Sequence, residues 1–189
     1  MGQCNWLTPY SWAIDPEPFI DADRYPDLTS LTESWREIRD EAVASATEMT
    51  FLADNRVGPT DWAVLPLWLE EDDRHVLGEE LCAKNRLLVP TTVGLLSSIG
   101  PVEAASFSSL APGASIAGHC HHRPFVTASL CLDGDEDASI SVGGQTRCYT
   151  NGAWIVFDYT QSHSVVNRGP NPRIVLLVLL APPKTSTCL

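Results

Sequence analysis

Residues 108–173 read SSLAPGASIAGHCHHRPFVTASLCLDGDEDASISVGGQTRCYTNGAWIVFDYTQSHSVVNRGPNPR, and the fold of the chain turns on them. Short apolar runs alternate here with the turn pairs Pro112-Gly113, Asp133-Gly134, Gly143-Gly144, Asn151-Gly152 and Gly169-Pro170. Such punctuation marks an all-β barrel or jelly roll. Including the flanks, the predicted strands are Glu103 to Leu110, Ser115 to His119, Phe125 to Leu132, Ala138 to Val142, Gln145 to Tyr149, Ala153 to Phe157, Ser162 to Val166 and Ile174 to Leu180. These suffice for a double-stranded β-helix of the jelly-roll or cupin-like kind.

The same stretch holds four of the five histidines, at positions 119, 121, 122 and 163. Neutral imidazole is the commonest side-chain ligand of first-row transition metals, and residues one apart on a strand face the same way. His119 and His121 are therefore predicted to bind one ion together, with His163 arriving from a distant strand. Two ligands close together and one remote, leaving the ion's other face open, is how non-haem iron sites are built. The usual form places a carboxylate where this chain has His121. His121 also reads as a hydrogen-bonding neighbour of the metal rather than a ligand. His122 is expected to point away, and Cys120 to be a packed thiol facing away from the ion. Asp158 is assigned to a turn, with orientation of His163 as its alternative role.

Composition narrows the class. At 189 residues with 44% hydrophobic content the chain suits one domain, residues 1–189, with a helical or irregular part over 1–100 and a jelly-roll core over 101–182. The formal charge of −12 repels phosphate backbones and anionic lipid, so neither nucleic acid nor membrane is an expected partner. The six cysteines lack paired C-x-x-C spacing and the N-terminus resembles no signal peptide, which predicts a cytoplasmic protein with reduced thiols. The most apolar run, Ile174 to Leu180, is far shorter than the roughly 20 residues a membrane helix needs.

Upstream of Gly100-Pro101 the pattern is helical and irregular. Met1 to Pro26 reads as an extended lead-in whose Trp6, Trp12 and Phe19 pack on the core. A long helix is predicted from a Ser30/Glu33 capping box, with Leu31, Trp35, Ile38, Ala42 and Met49 on its buried face and Arg36, Arg39, Asp40 and Glu41 off it. Trp62 to Leu69 is predicted as a strand that Pro66 would place at an edge. Shorter helices are expected at Gly78 to Lys84 and Thr92 to Ser98, and His75 is assigned to a solvated acidic loop.

Taken together, Phe107-Ser108-Ser109-Leu110-Ala111-Pro112-Gly113, Ile116, His119, Trp154, Phe157-Asp158, His163, Val165, Asn167 and Arg173 resemble the aspartyl/asparaginyl β-hydroxylase family. Phe19-Ile20, Tyr25-Pro26, Leu28, Leu31, Trp35, Ile38-Arg39-Asp40-Glu41, Pro90-Thr91 and Leu95-Leu96 extend the likeness to roughly residues 17–182. The resemblance implies a jelly-roll oxygenase using Fe(II), O2 and 2-oxoglutarate. It places the iron on His119 and His163, and the distal carboxylate of 2-oxoglutarate on Arg173 with help from Ser108. The chemistry agrees, since a guanidinium fork suits a carboxylate in a closed apolar pocket.

The chain departs from the family's pattern at two places. Where members carry an arginine and a histidine against the metal-proximal end of 2-oxoglutarate, it has Thr127 and Ser129. Where animal members lacking a carboxylate ligand have a glycine, it has His121, which would complete a three-histidine site. The expected activity is oxidation of an sp3 carbon, by hydroxylation, desaturation or cyclisation, of an amino acid or other small carboxylate-bearing molecule. A 2-oxoglutarate-independent three-histidine oxygenase whose substrate chelates the iron is the alternative. A non-catalytic cupin-like module binding a metal or small molecule is the second.

Overall fold

The computed structural model describes residues 17–70, 78–134 and 137–182. Trp6, Trp12 and His75 lie outside them. Among the described residues the strands are β1 (Phe19–Ile20), β2 (Thr50–Phe51), β3 (Trp62–Trp68), β4 (Val102–Leu110), β5 (Ser115–His119), β6 (Val126–Asp133), β7 (Ala138–Val142), β8 (Gln145–Cys148), β9 (Trp154–Asp158), β10 (His163–Asn167) and β11 (Arg173–Leu180). The helices are α1 (Thr29–Glu33), α2 (Trp35–Ala44), α3 (Glu79–Arg86) and α4 (Pro90–Ser98). A seven-stranded antiparallel sheet in the order β1-β9-β6-β11-β4-β3-β2 faces a four-stranded one in the order β5-β10-β7-β8. This is the double-stranded β-helix with N-terminal helices that the turn punctuation predicts.

β11 sets the layering. It lies in the middle of the large sheet, between β6 and β4. Strand side chains alternate between faces. Ile174, Leu176, Val178 and Leu180 therefore join Leu31, Ile38, Ala42 and Leu96 of the helices in one core. Arg173, Val175, Leu177 and Leu179 face the small sheet, where a second core contains Leu110, Ile116, Ile140, Phe157, Val165 and Val175. A strand buried on both faces reads as a continuous apolar run, as RIVLLVLL does.

Local chemistry fixes the joints. Gly143 (φ 54°) and Gly144 (φ 87°) supply the two positive-φ residues of a tight hairpin that brings Val142 opposite Gln145. Pro66 does not make β3 an edge strand: β2 pairs with β3 only at Val64 and Ala63, and the pairing with β4 shifts register between Pro66 and Trp68. The missing N–H thus falls beyond β2 and beside an irregularity, where no ladder bond is lost.

The single long helix expected from Ser30 is instead two, broken at Ser34, whose φ/ψ of −100°/18° leaves the helical region. The break lies between two tethers to the barrel. The Trp154 indole donates to Thr32 Oγ1 at 2.8 Å, and Trp35 packs against Gly152. The capping box does not form either: Leu28 is the N-cap, and Ser30 Oγ donates to the Asp27 carbonyl at 3.5 Å. No described helix is long and apolar enough to cross a membrane.

Candidate metal centre

Three imidazoles converge at one end of the space between the sheets. His119, the last residue of β5, stands directly opposite His163, the first of β10. A register shift between His163 and Val165 interrupts this ladder, the kind of irregularity that re-aims side chains beside functional sites. His121 lies beyond the end of β5 rather than on it. Its backbone N–H donates to the Tyr159 carbonyl at 3.3 Å, and its ring stacks on Tyr159 at 3.7 Å between centroids. These contacts bring His121 into the group by a different route from strand alternation. Ligand atoms of His119, His121 and His163 all lie within 4.8 Å of one another.

The rings are prepared for a cation. Nδ1 of His119 is 2.9 Å from the Ala117 carbonyl and Nδ1 of His163 is 2.8 Å from the Gln161 carbonyl. Carbonyls only accept, so Nδ1 carries the proton in each ring and Nε2 keeps its lone pair, the usual way a ligating histidine is oriented. Burial holds His163 down to about 4 and His121 down to about 3, with neighbouring imidazoles adding to the effect. His119 is lowered as well, again chiefly by burial. All three are neutral near pH 7 and able to bind a metal. A donor set of three neutral nitrogens within reach of one ion suits a first-row divalent metal such as iron.

Other nearby residues sort themselves out. His122 is exposed and outside the cluster. Asp158 does not orient His163: its Oδ1 accepts from Thr160 N and Thr160 Oγ1, at 2.9 and 2.7 Å, and closes the turn after β9. Cys120 is not a packed thiol but disulfide-bonded, while Cys82, Cys131 and Cys148 are in no disulfide. Reduced thiols throughout the chain are thus not what the structure has.

The histidines open on a cavity of about 670 Å3 between the sheets. At its closed end Arg173 is 2% exposed, its guanidinium 5.2 Å from the Tyr149 ring and its Nε without a hydrogen-bond partner. Thr127 Oγ1 and Ser129 Oγ, buried in the sheet beneath, also lack partners. Ser108 accepts a hydrogen bond from the Trp62 indole at 3.0 Å. Because that indole can only donate, the Ser108 proton remains available to a group in the cavity. A buried guanidinium and the hydroxyls of Ser108 and Thr127 facing one space can take an anionic, oxygen-rich ligand. That chemistry fits a dicarboxylate reaching from the metal to Arg173.

Comparison with known proteins identifies the family and the fold. The sequence profile described as Aspartyl/Asparaginyl beta-hydroxylase matches residues 32–183. The chain belongs to the aspartyl/asparaginyl β-hydroxylase family. No curated protein sequence matches it. Among solved structures, a prolyl-4-hydroxylase from Pseudomonas putida is similar over 79% of this chain and 87% of its own, with 17% identity and a TM-score of 0.51. A predicted oxalate decarboxylase from Thermotoga maritima covers 70% of this chain and 91% of its own at 18% identity and a TM-score of 0.46. The cupin domain of Schizosaccharomyces pombe Cnp3 gives 68%, 69%, 12% and 0.43. At 17% identity the prolyl-4-hydroxylase speaks to the fold alone, the same jelly roll.

Sequence reading did not find every residue of the site. Asp54, Arg56, Trp62, Tyr149 and Tyr159 also line the cavity. Asp54 and Arg56 lie in the β2–β3 loop, placed here because Ala117 N of β5 donates to the Arg56 carbonyl at 3.0 Å. Nothing local marks them. Tyr149 had a signal, an aromatic at a strand end facing the same interior as Arg173.

Proposed function

We propose that the chain is a non-haem Fe(II) oxygenase, 2-oxoglutarate-dependent, that oxidises an sp3 carbon of an amino acid or another small molecule. The observation carrying this reading is that the three-histidine cluster and a buried arginine lacking a partner at Nε share one cavity. His119, His163 and His121 would hold the iron, and Arg173 with Ser108 would take the distal carboxylate of 2-oxoglutarate. When bound, the pair supplies the activation of O2 that removes hydrogen from carbon. Arg173 fixes the cosubstrate's far end, and Thr127 offers a hydroxyl along its length. Trp62 holds Ser108 in the rotamer that donates inward.

The geometry gives weight to a second reading. Three neutral ligands leave the iron's double charge uncompensated, and the family's arginine and histidine contacts fall on Thr127 and Ser129. In that case an anionic substrate chelates the metal itself and 2-oxoglutarate is not used.

Anaerobic titration of the purified protein with Fe(II), with and without 2-oxoglutarate, separates the two. A weak visible charge-transfer band that requires both and is lost in Arg173→Met supports the 2-oxoglutarate reading. Iron binding without a band moves the substrate-chelating reading ahead. Failure to bind iron sinks both and leaves a cupin-like binding module.

A further inference from the structure

The closed end of the cavity is shut by a residue to which the metal centre gives no task. Tyr149 follows β8 of the small sheet, and its backbone N–H donates to the Ala138 carbonyl at 2.9 Å. Three residues on, the chain has crossed to the large sheet, where Gly152 N donates to the Cys131 carbonyl of β6 at 2.8 Å. Tyr149 plugs this crossover and is 2% exposed, yet it lines the cavity. A tyrosine buried so deeply packs through its ring and needs a partner for its hydroxyl.

The direction of the ring follows from its two ends. A Cβ placed on Gly134, just past β6, would stand 4.0 Å from Tyr149 Cβ and 3.3 Å from Arg173 Cγ. The two side chains therefore leave the closed end together, and the Arg173 Cζ lies 5.2 Å from the centre of the Tyr149 ring. At the other end the phenol oxygen stands beside the Arg173 guanidinium and the Ser129 hydroxyl, both of which act on it. Ser129 precedes Gly134 by five residues, so the ring runs along β6 towards Thr127. Thr127 pairs with Phe157, whose ring packs 5.1 Å from that of His163. The hydroxyl thus points from the closed end towards the metal. Its cover accounts for Ser129 being fully buried and absent from the cavity wall, although Thr127 on the same face lines it.

The proton of that hydroxyl is uncommitted. Arginine only donates, and Ser129 Oγ makes no hydrogen bond, so neither neighbour accepts from Tyr149. Burial pushes the phenol up, against the pull of Arg173 and Ser129, and keeps it protonated at neutral pH. Arg173 Nε is unpartnered, and the Ser108 proton is free because the Trp62 indole can only donate. Ser108 pairs with Val175, the next inward-facing residue after Arg173. Three donors therefore line one end of the cavity, and a carboxylate, which only accepts, is their complement. The span suits a five-carbon diacid. Asn167 of β10 donates to the Leu110 carbonyl at 3.0 Å, and Leu110 is the partner of Arg173. His163 is four residues back from Asn167, about 13 Å at the rise of a strand, and the imidazole and guanidinium both extend into that interval.

We propose that Tyr149 binds the cosubstrate, its hydroxyl donating to the distal carboxylate beside Arg173 and Ser108 and raising the preference of the site for a 2-oxo acid that ends in a carboxylate. The proposal rests on the 2-oxoglutarate reading and adds to it a residue and a selectivity. Tyr149 has this role in addition to closing the barrel, for which its ring suffices.

The test uses full-length protein loaded anaerobically with Zn(II). Calorimetry compares 2-oxoglutarate with 2-oxopentanoate, which has a methyl group in place of the distal carboxylate. Tyr149→Phe removes the hydroxyl and keeps the ring. It weakens 2-oxoglutarate by about tenfold or more, the scale of one charge-assisted hydrogen bond, and leaves 2-oxopentanoate within about twofold. Because both ligands are measured on the same variant, any loosening of the fold weakens both and cancels in their ratio. Circular dichroism and melting establish that the variant is folded. An unchanged affinity for 2-oxoglutarate would reduce Tyr149 to a plug and overturn the proposal. Equal weakening of the two ligands would do the same. In both cases 2-oxoglutarate binds the unaltered protein and the cosubstrate reading stands. Failure of 2-oxoglutarate to bind the unaltered protein overturns that reading, and the proposal with it.

Discussion

Arg173 is the residue whose energetics are most diagnostic. A buried guanidinium with an unpartnered Nε is a liability to the protein alone, because its desolvation is not offset by an anion. Replacing it with methionine removes that liability and keeps much of the packing. The metal-free Arg173→Met protein is therefore expected to be as stable as the parent or up to about 2 kcal/mol more stable in urea denaturation. Its 2-oxoglutarate affinity should nonetheless collapse in the anaerobic titration. A strand-end arginine with a structural role would give the opposite pair of results, reduced stability and an unchanged titration. The histidines are separable in the same way. His121 shares the cluster and His122 is exposed outside it. Removing groups that merely orient a ligand costs about 10–100-fold in metal affinity. His121→Ala should lose at least that much, and His122→Ala nothing, by competition against a chromophoric chelator.

At the scale of elements, the helical layer is joined by a cap supplied from outside. Helix α4 starts at Pro90, and its first free N–H groups, those of Thr91 and Thr92, both donate to Glu41 of α2 at 2.8 Å. The Thr92 hydroxyl donates to the same carboxylate at 2.7 Å. A carboxylate at a helix N-terminus meets both the orphan donors and the dipole. Glu41→Ala should cost about 2 kcal/mol and Glu41→Gln less, measured by chemical denaturation. Sequence reading placed Glu41 on the solvent side of its helix, since periodicity records which face is buried and not what a side chain reaches. The split of the predicted long helix was hidden for a related reason: the Trp154 to Thr32 bond joins residues 122 apart. Strands β5 and β7, by contrast, have the boundaries expected of them, because Pro112-Gly113 and Gly143-Gly144 dictate their ends locally. The site divides along the same line. His119 and His163 were legible from their type and spacing and Ser108 and Arg173 only through the family resemblance, whereas Asp54 and Arg56 reach the cavity through the pairing of a loop with β5.

For the whole molecule, the metal centre makes stability depend on pH and on metal together. In the unfolded chain a histidine takes up its proton near pH 6.5, whereas burial holds His163 at about 4 and His121 at about 3 in the folded, metal-free protein. Between these limits the unfolded state binds more protons, so stability falls as pH falls. Above pH 6.5 the two states bind equally and this contribution to the slope vanishes. Each proton at stake adds at most about 1.4 kcal/mol per pH unit to the slope, and His119, lowered by burial as well, acts in the same direction. A domain of ordinary marginal stability loses much of its margin over that window. Bound metal changes the outcome, because it requires the neutral imidazoles and stabilises the folded state by mass action. Melting curves from pH 7.5 to 5.0, with EDTA and with excess Zn(II), should show the EDTA curve falling steeply below pH 6.5. The Zn(II) curve should stay higher and begin its fall at lower pH. In His121→Asn the EDTA curve should flatten, since one of the three imidazoles that burial holds below their usual value is gone. Parallel curves with and without Zn(II) would mean that the three histidines titrate without sharing an ion.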